Sequence, residues 1–247
     1  MTLNEFFGLV PKAALAFSGG TDSAFLLWAA KKCGCDVRAY YVKTAFQPQF
    51  ELEDARRLCA QLGVELTVLE LDVLQIPGVV ENPPDRCYHC KRALFGRLRQ
   101  QAQADGYTVL IDGTNASDDA GDRPGMRALG ELSVRSPLRE CGITKAQVRA
   151  LSKEAGLFTW DKPAYACLAT RVPTGEAVTP ETLRKVEAAE EALFSLGYSD
   201  LRVRVFHGAA RLQLPGQQLE QAAKEREAIL QALAPWFDTV LLDLKER

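Results

Sequence analysis

Apolar residues in the first two-thirds of the chain come in short blocks, at 13–18, 36–44, 64–71 and 107–112. Such blocks predict strands buried on both faces, as in a parallel sheet. Within 36–44, Val37, Ala39 and Tyr41 share one parity and hence one face. Between the blocks, 22–33, 51–62 and 88–104 carry the mixed spacing of helices. Thr144 with Gln147 is a capping box for a further helix, which Gly156 ends. Strand and helix thus alternate. This predicts an α/β fold, a parallel doubly wound sheet with helices on both faces. Ligands of such sheets sit at the carboxyl ends of the strands.

The pattern changes near 160–178. Trp160-Asp161-Lys162-Pro163 and Val172-Pro173-Thr174-Gly175 read as loops. Thr179, Pro180 and Glu181 then supply a cap, a first-position proline and a first-turn acid for a helix that Gly197 closes. The stretch 201–206 alternates arginine with apolar residues, and 210–214 is a second strand after a His207-Gly208 turn. A helix over 216–233 and a last strand over 237–243 follow. The expected organisation is a sheet domain over 1–165 and a small C-terminal α+β domain over 166–247.

Composition changes this picture little. The chain has 247 residues, 47% apolar and 25% charged, with a net charge of −2. That is ordinary for a globular protein with a full core. It gives no basic excess to suggest general nucleic-acid binding. No apolar run reaches the roughly 20 residues of a membrane span. Residues 1–10 include Glu5 and lack a signal pattern. A cytoplasmic protein is expected. Its seven cysteines are then thiols, metal ligands or catalytic groups rather than disulfides.

The sharpest chemical signal is Ser18-Gly19-Gly20-Thr21-Asp22-Ser23. A strand ends in a glycine turn and a helix begins, so backbone N–H groups and the positive helix end meet at one spot. Gly19 and Gly20 let the backbone approach a phosphate. Ser18, Thr21 and Ser23 add hydroxyls. The spacing is not that of a Walker loop. It has the form SGGxDS and so resembles the pyrophosphate loop of enzymes that split ATP into AMP and pyrophosphate. Asp112-Gly113-Thr114-Asn115 follows the fourth strand and is placed to contact adenosine or an activated acyl group. Asp22 is a candidate Mg²⁺ ligand, because a departing pyrophosphate needs its charge neutralised. Asp118 and Asp119 are weaker candidates.

Cys87-Tyr88-His89-Cys90 opens a helix. Zinc, redox and accident are all open readings of one CxxC, though the lack of a second disfavours a four-cysteine zinc site. Cys167 lies in the run KPAYACLATR at 162–171. Three such cysteines can hold a [4Fe–4S] cluster by three irons and leave the fourth open. The alternative is three unrelated structural cysteines. Cys33, Cys35, Cys59 and Cys141 read as structural. Arg202 and Arg204 alternate on one strand face, about 7 Å apart. Two guanidiniums so placed suit a phosphate or carboxylate; the alternative is a solvated strand face.

The chain resembles the LarE family of ATP-dependent sulfur transferases. The resemblance rests on SGGTDS (18–23), DGTNASDD (112–119), GMRALGELSVRSPL (125–138), KPAYACLATR (162–171) and RVRVFHGAARLQL (202–214). It implies an adenine nucleotide alpha hydrolase-like fold of the pyrophosphate-loop type, with ATP and Mg²⁺ as cofactors. Ser18, Gly19, Gly20 and Ser23 would bind pyrophosphate. It further implies that Cys167 handles the sulfur, and that Cys87 and Cys90 place the chain in the branch with a [4Fe–4S] cluster on Cys87, Cys90 and Cys167. Arg171 would steady acyl-phosphate charge, and Arg202 with Arg204 would hold the substrate's phosphate. The implied substrate is pyridinium-3,5-biscarboxylic acid mononucleotide, thiolated twice for the nickel-pincer cofactor of lactate racemase. A homo-hexamer and contacts with other proteins of that biosynthesis are implied too, with no nucleic acid and no membrane. Gln213 stands where the family carries an acid. The competing reading is a tRNA-thiolation enzyme of the same superfamily. An amidase-coupled ligase explains the loop but not the cysteines, and a non-catalytic sensor predicts ATP binding without pyrophosphate release.

Overall fold

The computed structural model describes residues 1–118 and 124–247, so Asp119 lies outside the described residues. The chain divides into two compact units. The first is Met1–Ile76 with Asp85–Lys162; the second is Pro77–Pro84 with Pro163–Arg247.

In the first unit, α1 (Leu3–Leu9) precedes β1 (Lys12–Ala16), α2 (Thr21–Lys32), β2 (Asp36–Lys43), α3 (Gln49–Leu62) and β3 (Leu66–Glu70). Then come α4 (Arg86–Ala104), β4 (Leu110–Ile111), α5 (Pro124–Glu131), α6 (Pro137–Glu140) and α7 (Lys145–Glu154). The four strands form a parallel sheet in the order β3-β2-β1-β4. Alternation sorts the side chains to two faces. Leu15, Ala39, Tyr41 and Ile111 pack with Leu26, Leu58 and Val148 of α2, α3 and α7, and with Phe6 of α1. Ala14, Tyr40, Leu69 and Leu110 pack with Leu98 and Ala102 of α4. The expected parallel sheet with helices on both faces is present.

The fourth strand is shorter than its apolar run. Gly106 N donates to Gln103 O and Tyr107 N to Ala102 O, so the end of α4 consumes those donors. Past β4 the chain pairs with residue 135 instead: Arg135 N donates to Leu110 O, and Asp112 N to Arg135 O.

In the second unit, α8 (Pro180–Ser195) is capped by Thr179, whose hydroxyl accepts from Thr182 N. It packs on the sheet of β5 (Arg202–Phe206), β6 (Ala209–Gln213) and β7 (Val240–Leu242). β5 and β6 are antiparallel, and β7 runs parallel to β6. His207 and Gly208 both have positive φ, 48° and 83°, as a two-residue hairpin turn requires. The expected single helix over 216–233 is two, α9 (Gly216–Lys224) and α10 (Arg226–Leu233). Glu225 breaks it with ψ 19°, and its carboxylate is held by Tyr198 Oη at 2.8 Å. Residues 77–84 join this unit through Asn82, buried with φ 55°, whose Nδ2 donates to Pro173 O at 2.8 Å.

Gly19 has φ +70°, and a Cβ there would lie 3.0 Å from Glu51 O of α3. Gly19→Ala is therefore expected to lower stability by about 2 kcal/mol, read by urea unfolding. An unchanged midpoint would contradict the close packing of this turn.

Candidate active site

The glycine turn after β1 is built by its own hydroxyls. Ser18 and Ser23 Oγ lie 3.1 Å apart, Gly20 N donates to Ser18 Oγ at 3.3 Å, and Ser23 Oγ donates to Gly20 O at 3.2 Å. Gly20 caps α2 without a side chain, so the first-turn N–H groups face outward to a ligand. Thr21 departs from expectation. It is buried, and its hydroxyl donates to Thr159 O at 2.8 Å. It anchors the segment that leads out of this unit instead of offering a donor to phosphate.

The loop after β4 closes on the same spot. A Cβ on Gly113 would lie 2.8 Å from Ser23 N and 3.2 Å from the Asp22 carbonyl carbon. Only glycine permits that approach. Ser18, Gly20, Asp22 and Ser23 thereby share a cleft of about 290 Å³ with Asp112, Gly113, Thr114 and Asp118. Asn115 is buried beneath it, and its Nδ2 donates to Asp22 Oδ1 at 3.4 Å. Asp112 is buried too, accepting from Thr114 Oγ1 at 2.6 Å and Ser136 Oγ at 2.7 Å. A smaller hollow of about 150 Å³ shares Ala16, Ser18 and Phe95 with the cleft and is walled by Phe17, Tyr40 and Leu98. Its apolar lining beside the phosphate-type loop suits a flat heterocycle.

Two cations of this unit escaped the sequence pattern. Lys145 Nζ meets Asp22 Oδ2 at 2.5 Å. Its capping box was visible, but a partner 123 residues away was not. Lys91 of α4 lines the cleft; it read only as one more helical residue.

Cys87 and Cys90 lie near the start of α4, three residues apart, so they share a face. Cys87 is exposed and Cys90 half-buried. Cys167 belongs to the second unit, where it caps the short 3₁₀ turn Leu168–Arg171. Three thiols, two of them paired on a helix, form a donor set that fits an iron–sulfur cluster chemically. Among the described residues, no three histidine, cysteine, aspartate or glutamate side chains are gathered as a metal site. Of the other four cysteines, Cys35 and Cys59 are buried and Cys33 and Cys141 half-buried. Burial, with the Asp36 charge beside it, pushes the Cys35 thiol up to about 11, and burial pushes Cys59 up to about 12. Burial also raises Cys33 and Cys141. Each shift favours the protonated thiol.

The arginines of the second unit are largely engaged by the protein itself. Arg171 is 1% exposed and paired with Glu190, Nε to Oε1 at 2.7 Å and Nη2 to Oε2 at 3.0 Å. Its Nη1 donates to Ala166 O at 2.7 Å and lies 3.3 Å from Cys167 O. Its Nε, Nη1 and one Nη2 donor are engaged by the protein, so it holds the Cys167 backbone from a buried position. Arg202 is also buried, donating to Leu201 O and Ala164 O and lying over the Tyr165 ring at 4.7 Å. Burial and the neighbouring Arg171 push it down to about 10, still cationic at neutral pH. Arg204 does share its face, and donates to Gln213 Oε1 and Thr170 O at 2.5 Å each. It is the more accessible of the two. Gln213 in turn donates to Asp243 at 2.9 Å. An amide can accept from Arg204 and donate to Asp243 at once; a carboxylate cannot.

The sheet, the loop at its strand ends and the cleft define a class, the pyrophosphate-loop enzymes that use ATP. The family described as queuosine biosynthesis protein QueC matches residues 12–79. An uncharacterized protein of Synechocystis is 39% identical, over 90% of this chain and 84% of its own. The pyridinium-3,5-bisthiocarboxylic acid mononucleotide synthase of Lactiplantibacillus plantarum is 35% identical, over 83% of this chain and 75% of its own. The tRNA-specific 2-thiouridylase MnmA of Thermotoga petrophila is 26% identical over 61% of this chain and 54% of its own. The chain belongs to the LarE family and is an ATP-using, sulfur-transferring enzyme.

Two outcomes follow from this geometry. Gly113→Ala forces two backbones apart and is expected to weaken ATP binding about tenfold to a hundredfold, measured by calorimetry; unchanged affinity would contradict the shared cleft. Arg171→Met leaves the Glu190 carboxylate buried without its cation, at a cost of about 3–5 kcal/mol. Hydrogen exchange in the full chain should show α8 and β5 deprotected while β1 stays protected. Equal protection of α8 in both proteins would contradict the role assigned to the pair.

Proposed function

We propose that this protein adenylates the two carboxylates of pyridinium-3,5-biscarboxylic acid mononucleotide and converts them to thiocarboxylates for the nickel-pincer cofactor of lactate racemase. The cleft at the glycine turn, with Ser18, Gly20, Asp22 and Ser23 on one wall, carries the ATP half of this reading. The thiol set of Cys87, Cys90 and Cys167 supports the sulfur half, together with the similarity to the Lactiplantibacillus plantarum synthase.

A carboxylate is a poor electrophile because oxide must leave. Attack of its oxygen on the α-phosphorus releases pyrophosphate and makes AMP the later leaving group. Ser18, Gly19, Gly20 and Ser23 hold the pyrophosphate with backbone and hydroxyl donors placed where its charge develops. Asp22 takes Mg²⁺ together with phosphate oxygens, which requires Lys145 to release it. The apolar hollow with Tyr40 and Phe95 takes the adenine. Gly113, Thr114 and Asn115 border the adenosine and acyl side. Arg204, with one guanidinium end uncommitted in the contacts above, takes the substrate phosphate by a charge-assisted bond.

Cys87, Cys90 and Cys167 would hold a [4Fe–4S] cluster through three thiolates, and such a cluster supplies an open iron for the transferred sulfur. The Arg171 bonds to Ala166 and Cys167 fix the third thiol's backbone. The reaction takes place in the cytoplasm, and the working form is a homo-oligomer, a hexamer by family likeness.

The test uses protein purified without oxygen and incubated with ATP, Mg²⁺, sulfide and the biscarboxylate mononucleotide, so that sulfide displaces AMP from the acyl-adenylate and leaves a thiocarboxylate. Mass spectrometry should find oxygen replaced by sulfur in the substrate, and the protein should absorb broadly near about 400 nm. Cys90→Ala should lose both the absorbance and the product. An unchanged substrate with intact ATP binding would overturn the assigned substrate. A colourless wild type that still makes product would overturn the cluster.

A further inference from the structure

Lys91 follows Cys90 on α4, and its side chain reaches the cleft that holds Ser18, Gly20, Ser23 and Asp112. Its arm runs over Gly125 in the first turn of α5. A Cβ on Gly125 would lie 3.0 Å from Lys91 Cδ and 3.3 Å from Nζ. The missing side chain leaves room for the arm.

Three carboxylates face the same cleft, and all are engaged. Asp22 is held by Lys145 and Asn115, Asp112 by Thr114 and Ser136, and Asp118 by Asn115 N at 2.8 Å. Lys91 is the one cation among the described lining residues. No hydrogen bond or ion pair ties its ammonium to another described residue. A half-buried ammonium facing a cleft with hydroxyls and helix N–H groups is complementary to a polyphosphate.

We propose that Lys91 is a phosphate-binding residue of this enzyme, its ammonium meeting a phosphate oxygen of ATP. This rests on the ATP-using reading of the cleft and adds a residue to it. In the reaction the substrate oxygen bonds to the α-phosphorus, and the bond from that phosphorus to the bridging oxygen breaks. The electron pair leaves on pyrophosphate. Lys91 keeps its proton throughout and offsets charge on the phosphates. The same helix then carries Cys87, Cys90 and the cation that meets the nucleotide.

Calorimetry with ATP and with adenosine, each with Mg²⁺, tests this on wild type, Lys91→Met and Lys91→Arg. The methionine variant should bind ATP about tenfold to a hundredfold more weakly and adenosine as before. Arginine should restore part of the ATP affinity. Equal ATP affinity in wild type and Lys91→Met would overturn the assignment, as would equal losses for ATP and adenosine, which would mark a structural role. A wild type that binds no ATP would instead overturn the ATP-using reading itself.

Discussion

The cleft at the strand ends depends on one close approach, that of Gly113 to the first turn of α2. A side chain there would meet Ser23 N at 2.8 Å. Because it is absent, the loop after β4 lies directly on the glycine turn after β1. Donors of the first loop and acceptors of the second then share one wall. The parallel sheet makes this possible, since β1 and β4 are hydrogen-bonded neighbours and both end at the same edge. The turn is backed by α3, because Gly19 turns left-handed against Glu51 and Ala55. Sheet order, two glycines and a capless helix start therefore act together to expose a row of N–H groups to an anion.

The second unit is organised around a buried charge. Glu190 accepts from Arg171 twice, from Tyr165 Oη and from Val203 N. Arg171 and Arg202 lie over the Tyr165 ring at 4.5 and 4.7 Å. A buried pair of this kind is a weak source of net stability, because desolvation offsets much of the attraction. Its value here is position. The arginine that cannot leave Glu190 also fixes Ala166 O, and so the chain on either side of Cys167. Thr21 and Arg149 act similarly on the segment before it, holding Thr159 O, Trp160 O and Lys162 O.

Local signals in the sequence were legible and distant ones were not. The strand, glycine turn and helix around 18–23 are encoded within a dozen residues, so the loop and its chemistry could be read directly. The Thr144 capping box could too. Lys145, one residue further, pairs with Asp22 across 123 residues, and no periodicity reports that. Alternation put Arg202 and Arg204 on one face, as found. It could not say that Ala164 O and Leu201 O would take up the first of them. Nor does the pattern report the pairing of Arg171 with Glu190, which sits on an amphipathic helix among acids that look alike. Residues 77–84 carry no compositional mark of belonging with 163–247.

The central claim is that ATP in this cleft is cut between its α and β phosphorus atoms. Phosphorus NMR of the products, formed from ATP, sulfide and the biscarboxylate mononucleotide with Mg²⁺, tests it most directly. The account predicts AMP and pyrophosphate in equal amounts. ADP and inorganic phosphate would contradict it, because they would mean attack at the γ-phosphorus.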